Sequence, residues 1–162
     1  RETSLSFANT SQHLQQLKRI RLLKVRKEKN YVYYSLGNAY VYAIWKALRE
    51  FSRYHIPELN RRTENFQNEK NVRSITIKHL DEHQPYTILD VRPLEEFNEN
   101  HISGAMHMTV EEIPENISAF DPSHTIITCC RGPFCSLAVE ASEILQENGF
   151  DSIRLEESPL DV

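Results

Sequence analysis

With 162 residues, 40% of them hydrophobic and 26% charged, the chain has room for one medium domain or two small ones, not for a large single core. No apolar run reaches the roughly 18 residues of a membrane span, and the polar opening RETSLSFANTS lacks the apolar stretch of a secretory signal, so a cytoplasmic protein with no membrane partner is expected. The net charge of −4 conceals a division: residues 1–70 carry 14 Lys and Arg against 6 Asp and Glu, a balance of +8, whereas residues 71–162 carry 5 against 17, a balance of −12. Two units with different partners are implied, the basic one suited to a polyanion.

Residues 10–23, TSQHLQQLKRIRLL, set Leu14, Leu17 and Ile20 at helical spacing and predict a helix capped by Thr10 or Ser11. Ser11 and the polar face of Gln12, His13, Gln15, Gln16, Lys18 and Arg19 combine groups that hydrogen-bond to base edges with groups that neutralise phosphates. The next stretch, LKVRKEKNYVYYSL, favours extended chain at Val25, Tyr31, Val32 and Tyr33, which predicts two strands around a turn near Lys29 and Asn30. Arg26, Lys27 and Lys29 make that hairpin basic. Charge alone fits a solvated helix and hairpin, but the order of the elements points further. SQHLQQLKRIRLLKVRKEKNYVYYSL resembles the recognition helix and wing of the ArsR family of winged helix-turn-helix regulators, over roughly residues 2–36. The resemblance implies double-stranded DNA as a partner, read by the residues just named. It also implies helices ahead of residue 10 that are not in this sequence, so the chain is expected to be a piece of a longer protein.

Residues 38–56 place Val41, Ile44, Trp45, Leu48, Phe51, His55 and Ile56 along one stripe of an amphipathic helix that Pro57 ends or kinks. ELNRRTENFQNEK then reads as a more polar helix leading out as a linker. The stripe either covers its own domain or meets a second copy. In the resembled family the equivalent helix helps form a homodimer, so residues 37–70 are expected to serve dimerisation and linkage.

In residues 71–162, strand-like SITI, YTILDV, AMHMTV, HTIITCC and DSIRL alternate with helix-like KHLDEHQ, PLEEFNENH and SLAVEASEILQENGF. The alternation predicts a small α/β domain with a mainly parallel sheet, making the chain α/β overall with an α+β helix-and-hairpin unit in front. The last helix is expected to start near Ser136, bury Ala138, Ala141, Ile144 and Leu145, and end at Gly149.

All three cysteines lie in the stretch TCCRGPFCS, an odd number and no disulfide framework. The loop stands at the carboxyl end of a strand and ahead of a helix, where backbone N–H groups favour an anion and lower a cysteine's pKa. Gly132 permits close backbone approach and Pro133 stiffens the turn. Phosphoryl chemistry would need an arginine six positions after Cys130 to clamp the oxyanion, and that position is Ser136. Cys129, Cys130 and Cys135 lack the paired spacing of a zinc site, and His101 and His107 suggest one only loosely, so neither metal nor cofactor is expected.

LDVRPLEEFNENHISGAMHM followed by TCCRGPFCSLAVEASEILQENGF resembles a rhodanese domain, over roughly residues 74–162. The resemblance implies that Cys130 is a nucleophile that accepts sulfane sulfur as a persulfide, with Arg131 assisting an anionic donor such as thiosulfate. Gly132, Pro133, Phe134, Cys135 and Ser136 would then cradle the anionic sulfur through the loop's amides. Asp90, Arg92 and Glu96 are expected to organise the fold by buried ion pairing. Cys135 departs from the usual loop and stands close enough to pair with Cys130 directly or through extra sulfur, as a resolving cysteine. Cys129 is expected to be a small buried residue. Two functions fit: a DNA-binding regulator that senses or carries reactive sulfur, and a sulfurtransferase with an attached DNA-binding unit.

Overall fold

The computed structural model describes residues 6–81 and 83–162, apart from the side chains at positions 66, 67 and 69. Residues 2–5 of the stretch compared with winged helices, and Glu82, lie outside the described residues. The chain divides into two compact units, one ending at Asn60 and the other starting at Arg61.

In the first unit α1 spans Phe7–Arg19. The expected cap at Thr10 or Ser11 is corrected to Ser6, whose Oγ accepts from the Asn9 N–H at 3.3 Å. Nothing in FANT resists helix, so the first hydroxyl upstream of it takes the cap. The far end also falls short of residue 23, because Arg21 adopts a left-handed φ of 60°. Its N–H donates to Lys18 and that of Leu22 to Leu17, the bond pair that closes a helix. Strands β1 (Leu23–Glu28) and β2 (Tyr31–Leu36) form the antiparallel hairpin, turning at Lys29 and Asn30 with Lys29 at φ 51°. Gly37 then donates to the Leu22 carbonyl at 2.9 Å, an approach that a Cβ would block at 2.3 Å from the Arg21 carbonyl oxygen.

Helix α2 (Ala39–His55) starts at Asn38, whose Oδ1 accepts from the N–H groups of Tyr40 and Val41. Pro57 opens α3 (Pro57–Glu69), so the proline both stops one helix and starts the next.

In the second unit the strands are β3 (Ser74–Ile75), β4 (Tyr86–Asp90), β5 (Met106–His107), β6 (Thr125–Cys129) and β7 (Ser152–Leu155). All pair in parallel, in the order β3-β7-β6-β4-β5. The helices are α4 (Leu94–Glu99) and α5 (Leu137–Glu147). Where KHLDEHQ is expected as a helix, the described residues form a 3-10 turn at Ile77–His79 and no α-helix. The Asp81 carboxylate accepts from the His83 N–H at 2.9 Å, and that local bond pulls the backbone into a turn. The strand-like AMHMTV keeps strand only at Met106–His107, and its last residue Val110 joins residues 111–119, for which no element is expected, in 3-10 turns that carry Ile113 into the core.

Both faces of the sheet are covered. Ile126 of β6 packs with Leu89, Ala138, Ala141 and Leu145 on one side, while Ile127 and Cys129 pack with Ile88, Ile102 and Leu155 on the other. A parallel strand buried on both faces favours apolar residues on both, which is why YTILDV and TIIT show little alternation. Helix α5 buries Ala138, Val139, Ala141, Ser142 and Leu145; Ile144, expected among them, is only half-buried. Gly149, at φ 85°, ends the helix.

Candidate functional site

Strands β4 and β6 end side by side, with Asp90 in register with Cys129. Asp90 is wholly buried and holds Arg92 through Nε at 3.0 Å and Nη2 at 2.7 Å, while Nη2 also donates to the Asn100 carbonyl at 2.6 Å. Such a pair adds little net stability, because desolvation offsets its attraction, but it shapes the turn that leaves β4. The Arg92 carbonyl is in turn hydrogen-bonded to His107 Nε2 at 2.8 Å.

Strand alternation separates the neighbouring cysteines. Cys129 faces Ile88, Ile127 and Leu155, and burial pushes its thiol up to about 12, with Asp90 adding to the rise and Arg92 opposing it. A thiol held protonated is inert. Cys130 falls on the other face, beneath α5 among Leu89, Val91 and Ala138. Three hydroxyls brace that helix: Thr128 Oγ1 donates to the Ala138 carbonyl at 2.9 Å, and Ser142 Oγ lies 2.7 Å from Thr128 and 3.1 Å from Ser152.

Beyond Cys130 the loop doubles back. Gly132 adopts φ 99°, a left-handed conformation that L side chains rarely enter, and its carbonyl accepts from the Cys135 N–H at 3.1 Å. Cys130 and Cys135, with Cα atoms 6.4 Å apart, are joined in a disulfide. Gly132 and Pro133 are buried, Cys135 is half-buried, and Phe134 and Ser136 are exposed. The cradle is therefore narrower than expected. Pro133 has no N–H, and the Cys135 amide is engaged inside the loop. Ser136 opens α5, its carbonyl accepting from Val139 and Glu140.

The expected burial of Glu96 is corrected too. Glu96 does not join Asp90 and Arg92 in the interior; its side chain is 37% exposed and grips the Arg131 guanidinium in a two-point pair, Nε to Oε2 at 3.0 Å and Nη2 to Oε1 at 2.6 Å. The partners are 35 positions apart, and no local pattern announces them. His101 and His107 flank the Phe97 ring at 4.1 and 5.0 Å between centroids. Among the described residues no cluster of three or more His, Cys, Asp or Glu side chains is placed to hold a metal ion.

The basic unit presents a different surface. Gln12, His13, Gln15, Gln16, Lys18 and Arg19 are exposed on α1, and Ser11 is half-buried. Gln12, Gln15, Gln16, Lys18 and Arg19 line one concavity, with Gln15 Nε2 donating to the Tyr34 hydroxyl at 3.2 Å. Lys18 also lines a second concavity, with Arg21, Lys24 and Lys27. Arg26 pairs with Glu28 at 3.3 Å and lies 4.9 Å over the Tyr33 ring; Lys27 and Lys29 are exposed.

A family model described as a rhodanese-like domain matches residues 74–157, more than half of the chain. The chain belongs to this family. The rhodanese-like match thus begins at β3 and takes in the whole sheet, the cysteine loop and α5. A protein from Lactobacillus plantarum of solved structure is 20% identical, with a TM-score of 0.51 over 61% of this chain and 87% of its own, and shares the fold. A rhodanese-like domain protein from Staphylococcus aureus is 28% identical over 54% of this chain and 87% of its own, with a TM-score of 0.47. In Mycobacterium tuberculosis, the HTH-type transcriptional regulator Rv0324 is 24% identical over 98% of this chain and 71% of its own length. Among the described residues no helix is long and apolar enough to cross a membrane.

Proposed function

We propose that the chain belongs to a DNA-binding transcriptional regulator in which a winged helix unit of the ArsR type binds double-stranded DNA as a homodimer, and the rhodanese-like domain senses reactive sulfur. The observation that carries the reading is the pairing of Cys130 with Cys135 at the family's nucleophile loop. The likeness to an HTH-type regulator over nearly the whole chain supports the DNA-binding part. So does the polar and basic face of α1 beside a basic hairpin. The exposed stripe of α2, with Ile44, Leu48 and Phe51 all more than half exposed, supports the dimer.

In the reduced loop, the Cys130 thiolate attacks the outer sulfur of a small persulfide, forming a Cys130 persulfide and releasing the donor's thiolate. The Cys135 thiol then attacks Cys130 Sγ, closing the disulfide and releasing hydrogen sulfide. The cysteine pair loses two electrons and the transferred sulfur gains them. A reducing cytoplasm would reset the switch. Titration of the dithiol and disulfide forms against DNA selected from a random duplex pool tests this. A tenfold or larger difference in Kd is expected, and equal affinities would sink the sensing step. The family match favours one other reading, a sulfurtransferase, which predicts steady conversion of thiosulfate and cyanide to thiocyanate that Cys130→Ser abolishes.

A further inference from the structure

We infer that Glu96 sets the donor specificity of the Cys130 loop: by holding the Arg131 guanidinium it withholds the charge that dianionic thiosulfate requires, leaving a site for neutral or singly charged persulfides. The inference rests on the reading that Cys130 accepts sulfane sulfur.

Bringing thiosulfate to a Cys130 thiolate collects three negative charges in one loop, and a cation must offset them. Arg131 is the sole cation between Thr128 and Leu137. Its two-point pair with Glu96 uses the fork that would clamp an oxyanion, and Glu95 stands next to Glu96 in the first turn of α4. The neighbouring guanidinium, that of Arg92, is committed to Asp90. An exposed pair of this kind contributes little to stability. It need only outcompete a dilute anion, and a carboxylate tethered in place acts at an effective concentration of roughly millimolar or more. A hydropersulfide asks for less. The thiolate takes its outer sulfur, the donor's S–S bond breaks, and a thiolate leaves, so one negative charge is present throughout. With thiosulfate the same attack expels sulfite, and the charge stays at three.

The test compares the rates at which Cys130 of the reduced protein is consumed by thiosulfate and by cysteine hydropersulfide, read by mass spectrometry as one added sulfur atom or as the Cys130–Cys135 disulfide that follows it. Glu96→Gln should shift the ratio of the two rates about tenfold towards thiosulfate, and Glu96→Ala should do the same if Gln disturbs the fold. The double variant Glu96→Gln/Arg131→Gln should lose the gain, since the effect runs through the guanidinium. A ratio that moves less than twofold in both single variants, or a gain that survives loss of Arg131, overturns the inference and leaves sulfur acceptance standing. If neither donor modifies Cys130 in any of these proteins, sulfur acceptance itself falls and the inference with it.

Discussion

The two units treat apolar side chains in opposite ways. In the rhodanese-like domain Leu89, Ile113, Ile126 and Leu145 are fully buried, whereas in the basic unit α1 buries no residue and α2 leaves Ile44, Leu48 and Phe51 at 55–65% exposure. Both stretches carry apolar residues at regular spacing. A five-stranded parallel sheet offers two faces to cover, so its helices and turns find partners within the domain. One helix over a two-stranded hairpin offers too little surface to enclose a stripe as long as that of α2. Periodicity therefore reports that a face wants covering, and says nothing about what covers it.

That contrast can be broken most severely by core truncation. Leu89→Ala should cost about 2–5 kcal/mol by denaturant unfolding, while Leu48→Ala in the monomer should change stability by less than about 0.5 kcal/mol. Equal costs would mean that α2 belongs to a closed core of its own. Next in size, Leu48→Glu with Phe51→Glu should weaken self-association roughly a hundredfold by setting charges into an apolar contact. If α2 joins two copies as proposed, sedimentation should show dimer for the parent chain and monomer for the variant, with the unfolding of the rhodanese-like domain unmoved; an unchanged sedimentation coefficient would assign the stripe another partner.

The smallest effect concerns acid. Glu112 accepts from the backbone N–H and hydroxyl of Thr109, and these bonds hold its carboxyl below the ordinary 4.5. A depressed carboxyl stabilises the fold above its unfolded value and loses that contribution as pH falls through the lower folded value. Glu112→Gln should therefore lower Tm slightly at neutral pH, with the difference from the parent vanishing in acid. A gap that persists below the folded value would show that the Thr109 bonds do not depend on charge.

Much of this molecule was legible from local chemistry. The hairpin turn at Lys29 and Asn30, the stop at Pro57 and the helix end at Gly149 each rest on one residue's backbone preference, and such preferences act over a few positions. Strands β4 and β6 and helix α5 were visible in their apolar runs and in the glycine and proline between them. The cap of α1 was misplaced because several hydroxyls compete for that role within six residues, and only the helix start chooses among them.

What the sequence by itself determined is the local frame: a cysteine loop between a strand and a helix, and a basic helix-and-hairpin earlier in the chain. The tertiary structure decided which groups meet and which are buried. Cys129 and Cys130 are equivalent as letters, and their difference arises because both faces of the sheet are covered and adjacent residues point to opposite sides. The tie between Glu96 and Arg131 likewise exists only once α4 and the loop after β6 are brought together. Turn and capping preferences act between neighbours and can be read along the chain; face, burial and charge pairing depend on residues that only the fold makes adjacent.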